Sequence, residues 1–123
     1  MTRDEYNDFC KSLPHTTHVV QWGNADVWKV GGKVFAIGGW QDTADTDPHV
    51  TFKVSDMAFQ ILSEQEGLRP APYLASRGMK WIQRYRDDAM SDDDLREYLT
   101  ESHRLISLKL TKKLQRELGL NQD

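Results

Sequence analysis

Apolar residues recur at helical spacing near the start of the chain, at Tyr6, Phe9, Cys10 and Leu13, until Pro14 stops the run. Thr2 with Glu5 three residues later has the form of a capping box, so an amphipathic helix is expected to begin there. From His18 onward the texture changes to short β-rich runs, and strands are predicted at 18–22, 26–30, 33–37 and 49–54. Gly31-Gly32 and Gly23-Asn24 separate the first three runs and suit tight hairpins, so a meander is expected. In the fourth run Val50, Phe52 and Val54 alternate with His49, Thr51 and Lys53, the pattern of a sheet covered on one side only.

Ser55 can cap a second helix whose apolar positions are Met57, Ala58, Ile61 and Leu62, with Gly67 placed to end it. Residues 68–78 hold Pro70, Pro72 and Gly78 and read as a turn-rich connection, after which 80–85 reads as a fifth strand. Ser91 before Asp92, Asp93 and Asp94 is a strong helix start, because a hydroxyl and three carboxylates complement exposed N–H groups at the positive end of the dipole. Leu95, Tyr98, Leu99, Leu105, Ile106 and Leu108 continue the stripe, and Leu114 and Leu118 carry a last helical segment beyond a break at Thr111. The expectation is an α+β fold: one domain over residues 1–123, with a mostly antiparallel sheet of about five strands and helices packed on one face.

With 123 residues, 38% hydrophobic and 28% charged, the chain has the profile of one globular core. Its single cysteine, Cys10, excludes an intrachain disulfide and any multi-cysteine zinc site, and suits a cytoplasmic setting. Neither a secretory leader nor a membrane span is read in it, and a monomer is expected. The formal net charge of −3 gives no global attraction to nucleic acid, so the distribution of charge matters more than its total.

That distribution is uneven. Arg69, Arg77, Lys80, Arg84 and Arg86 follow one another with no acid among them, interleaved with Tyr73, Trp81 and Tyr85: cations for phosphates and rings for bases. On a strand, Lys80, Ile82 and Arg84 share one face and Trp81, Gln83 and Tyr85 the other, so the pattern separates cations from rings. A second basic cluster, Arg104, Lys109, Lys112, Lys113 and Arg116, lies near the end, behind the acidic run from Asp87 to Glu101. Complementation of helix dipoles accounts for that second arrangement as well as a binding patch does.

Other chemistry finds little support. Cys10, His15, His18 and His49 are metal-ligand types, but Cys10 lies on a core-facing stripe and the histidines lack ligand spacing. Asp42, Asp45 and Asp47 crowd one loop yet fail the EF-hand template, which needs a central glycine and a terminal glutamate. No serine sits in a Gly-x-Ser-x-Gly elbow and no glycine pair opens a helix as a phosphate loop does. Neither cofactor nor metal is assigned, and no enzyme is expected.

The order of Trp28-Lys29-Val30, Lys33-Val34-Phe35-Ala36, Pro72-Tyr73-Leu74, Arg77-Gly78, Trp81, Ser102-His103-Arg104-Leu105 and Leu110-Thr111-Lys112-Lys113 resembles the MmcQ/YjbR family along nearly the whole chain. The resemblance implies a fold similar to the CyaY (frataxin-like) layer and DNA binding through a double-wing arrangement of hairpins. DNA is therefore the expected partner, and the candidate contact residues are Arg69, Tyr73, Arg77, Lys80, Trp81, Arg84, Arg104, Lys112 and Lys113. The rival expectation is a protein or small-ligand module using the open sheet face around Trp28, Phe35 or Trp40. An apolar patch there, away from the cations, would distinguish it.

Overall fold

The computed structural model describes residues 1–40 and 47–122. Helix α1 (Arg3–Ser12) opens on the expected capping box: Thr2 Oγ1 accepts from Glu5 N at 3.1 Å, and Thr2 N donates to Glu5 Oε1 at 3.0 Å. A meander follows, β1 (Thr16–Gln21), β2 (Ala25–Val30) and β3 (Lys33–Gly38), and then β4 (Val50–Lys53). Helix α2 (Asp56–Leu62), strand β5 (Leu68–Pro70), a 3-10 turn (Ala75–Arg77) and β6 (Trp81–Arg84) come next. The chain closes with α3 (Asp92–Ser107) and α4 (Lys112–Leu118), capped by Ser91 and Thr111.

The strands form one six-stranded antiparallel sheet in the order β1-β2-β3-β4-β6-β5. That is one strand more than the sequence predicts. Residues 68–70 were expected to be loop, yet they pair with β6 as an edge strand, where Pro70 lacks no needed donor.

Register fixes the two faces. Trp28, Ala36, Phe52 and Ile82 lie opposite one another across four strands and, with Tyr6, Leu95, Leu99 and Ile106 from the helices, make the main core. Gly38 admits the Tyr6 ring, which a Cβ there would overlap. A register shift at Trp28/Lys29 leaves Phe35 unpaired, turned into the core against the edge of His103 at 5.2 Å. Ser102 docks α3 to the sheet, donating to Phe35 O at 2.7 Å and accepting from Lys53 N at 2.9 Å.

Two helical stripes differ from expectation. Met57 and Ile61 are 73% and 56% exposed, because so short a helix as α2 seats itself on the core through the expected Ala58 and Leu62 together with Phe59. Leu108, at the C-cap of α3, also faces solvent. Among the described residues no helix is long and apolar enough to cross a membrane.

Candidate functional site

The sheet's second face carries a small apolar cluster of Ala25, Val27 and Ile37, flanked by Val19, Val34, Trp40 and Leu74. Leu74 reaches it from the Pro-rich connection, which folds back over this face: Leu74 N donates to Pro72 O at 2.8 Å and Met79 N to Leu74 O at 3.1 Å. Gly78, at φ 77°, turns the chain out of the 3-10 turn into β6. Leu74 thereby stands between two hollows. One, about 350 Å³, is bounded by Trp22, Lys33, Met79, Trp81, Ile106 and Lys109; the other, about 320 Å³, by Trp22, Trp40, Tyr73 and Arg77; Ile37 and Leu74 belong to both.

Three rings run along the mouth. Trp22 and Trp40 have centroids 5.9 Å apart, Trp40 and Tyr73 6.0 Å. Trp22 is 50% and Tyr73 65% exposed, and both hold left-handed backbone at φ 53° and 66°. For residues this bulky that conformation costs about 1–2 kcal/mol each. Among the described residues the charged ones bounding the hollows are Lys33, Arg77 and Lys109, all cationic. Lys53 lies close to Lys109; partial burial, then the neighbouring ammonium, hold its pKa below the ordinary lysine value, with Asp56 opposing. Arg69, on the same face, donates from Nε at 2.8 Å to Gln83 Oε1 and stacks 4.7 Å from the Tyr85 ring. Buried Gln83 in turn donates to Trp40 O at 3.3 Å, tying Arg69 to the ring row. None of Lys33, Lys53, Arg69, Arg77 or Lys109 forms an ion pair among the described residues.

The residues singled out from sequence thus part company. Tyr73 and Arg77 meet at the groove, with Arg69 on the same face. Trp81 bounds the larger hollow but is only 4% exposed, so its ring is a wall and not a free stacking surface. Lys80 sits over the Phe59 ring at 4.8 Å, beside α2. Arg84 faces the helices and is 3% exposed; its NH2 group donates to the carbonyls of Asp87 and Met90 at 2.8 and 2.9 Å and to Asp92 at 3.2 Å. The Met1 ammonium joins Arg84 at Asp92, 3.2 Å away, and also lies 3.5 Å from Asp47. Arg104 is paired with Glu101 at 2.6 Å, and Arg86 with Asp88 at 2.7 Å. Lys112 and Lys113 project from the exposed first turn of α4, so of the terminal cluster it is Lys109 that bounds the groove.

Sequence reasoning passed over Trp22 and Lys33. The available signal was a tryptophan abutting a turn glycine, at Trp22-Gly23 and again at Gly39-Trp40, where an aromatic at a strand end is freed from the alternating pattern.

The other candidates have structural partners. Cys10 is buried, which pushes its thiol far above the usual range. His18 Nε2 lies 2.7 Å from Asp26 Oδ1, and Asp26 also accepts from Arg3 at 2.6 Å. His49 packs edge-on to Tyr85. Among the described residues no group of three His, Cys, Asp or Glu side chains is placed to hold a metal ion. Asp42 and Asp45 lie outside the described residues.

The YjbR family model matches residues 11–105, which span the whole sheet and most of α3. Among solved structures the chain is similar to the crystal structure of Deinococcus radiodurans protein DR2400, a DUF419 domain, with a TM-score of 0.83 and 24% identity over 97% of this chain and 88% of that one. No curated protein matches.

Proposed function

This chain belongs to the YjbR family, and we propose that it is a non-enzymatic, monomeric domain that binds nucleic acid on the open face of its sheet. The observation that carries the reading is the groove beside Leu74: among the described residues every charged one bounding it is a cation, and rings stand exposed along its mouth. Phosphates supply the matching charge, and cations that form no ion pair among the described residues lose none when a phosphate arrives. Arg69, Arg77, Lys33, Lys53 and Lys109 are the contact residues by this argument, with Tyr73 between them. Lys112 and Lys113 extend the cationic surface, whereas Arg84 and Arg104 serve the fold. The buried thiol of Cys10 suits the reducing cytoplasm.

A protein-docking platform around Trp28, Phe35 and Trp40 is less well supported. Trp28 and Phe35 are buried, and Trp40 bounds the same hollow as Arg77, so the aromatic patch coincides with the cations. The direct test is an anisotropy titration of labelled oligonucleotides in low salt. Binding tighter than about 10⁻⁴ M, the range of weak non-specific complexes, is expected. Failure to bind up to that concentration would remove the proposal.

A further inference from the structure

We infer that the ligand of this groove is an unpaired strand, whose exposed bases settle into the two hollows and against Trp22 and Tyr73 while its phosphates lie on Arg77, Lys53 and Lys109. This rests on the nucleic-acid reading above and goes further, because cations alone do not choose between duplex and single strand.

The choice comes from the groove's floor. Ile37 and Leu74 line both hollows, and the polar side chains around them are cationic ones at the margin. A duplex offers such a surface phosphates and base edges, while its base faces stay stacked inside; it would span the apolar floor without filling it. An unstacked base offers a flat apolar face of the right chemistry, and aromatic side chains are the usual platforms for it.

The rings are also held for this use. Trp22 and Tyr73 occupy left-handed backbone that bulky residues avoid, and both remain at least half exposed at opposite ends of the row through Trp40. The tight turns set the left-handed backbone, with Gly23 and Asn24 at positive φ beside Trp22, and each turn presents its ring to solvent at the mouth of the groove. The spacing argues for stacking on outer faces: centroids 5.9 and 6.0 Å apart leave too little room for a base between neighbouring rings, which needs about twice the stacking distance of a base step.

The test uses the full chain and three labelled probes of equal length, a thymine DNA strand, a uracil RNA strand and a mixed-sequence DNA duplex, titrated at low salt by anisotropy with intrinsic tryptophan fluorescence read in parallel. Either single strand, or both, should bind at least tenfold tighter than the duplex and quench the tryptophan signal; the two strands separate DNA from RNA as the source of the bases. Trp22→Ala and Tyr73→Ala should each weaken single-strand binding about tenfold, with Tyr73→Phe retaining it. Both positions are exposed, so the variants fold. Duplex bound as tightly as single strands, or affinity indifferent to both alanine variants, overturns this inference while leaving nucleic-acid binding in place; no binding of any probe takes both down.

Discussion

Arg84 sits two positions from Ile82 on a core-facing strand, and its guanidinium ends a chain of partners that includes two backbone carbonyls and Asp92. Removing it leaves the carbonyls of Asp87 and Met90 without this donor, while Asp92 keeps the Met1 ammonium and is exposed enough to be rehydrated in part. Arg84→Ala should therefore destabilise the fold by about 3 kcal/mol, the lower end for breaking a buried pair. Urea denaturation measures this, and a loss under about 1 kcal/mol would show the network to be incidental. Two further residues set the acid response. His103 donates from Nε2 to Pro14 O at 2.8 Å, but burial, with the charge of His15, holds its pKa below the ordinary 6.5. The unfolded chain then takes up a proton that the folded one resists, so stability declines as pH falls below about 6.5. Asp26 is raised by burial and lowered more strongly by Arg3, His18 and Asn7, leaving it below 3.8. Its contribution is complete above that value and is lost as pH falls through the folded pKa. Denaturation across pH should show two separate losses, the upper flattened in His103→Gln and the lower in Asp26→Asn.

At the scale of elements, the helix starts were legible in sequence and the packing faces were not. Thr2, Ser55, Ser91 and Thr111 each accept from the backbone N–H three residues ahead, a short-range geometry that residue identity alone dictates. Ser91→Ala should cost about 1 kcal/mol. The face of α2 was half read: Ala58 and Leu62 pack as expected, but Met57 and Ile61 satisfy helical spacing as well as Phe59 does, and tertiary contact with β5 and β6 decides between them. Met57→Lys and Ile61→Gln should consequently change stability by less than about 0.5 kcal/mol. Thermal or urea unfolding that loses more than 1 kcal/mol would place these residues under an unseen load. Strand β5 escaped notice for a related reason: three residues ending in proline carry no periodic signal, and only pairing with β6 makes them a strand. The candidate site was half legible. Tyr73, Arg77 and Arg69 lie in one basic stretch, whereas Trp22, Lys33 and Lys109 reach the groove from distant parts of the chain that only the sheet order and Leu74 bring together.

For the whole molecule, the net charge of −3 conceals a segregation. Asp94, Glu97 and Glu101 line the outer side of α3, on the layer that covers the core face, while among the described residues the charged groups bounding the two hollows are cations. A polyanion is therefore repelled by that side of α3 and drawn to the groove, which orients an encounter that total charge would not favour. The most direct measurement is the salt dependence of oligonucleotide affinity in single variants. Arg77→Ala and Lys109→Ala should each lower the slope of log K against log salt by about 0.7 on single strands, as one phosphate contact is lost, and Arg104→Ala should leave it unchanged. A slope that is the same in all three variants as in the parent chain would contradict the assignment of phosphate binding to the open face.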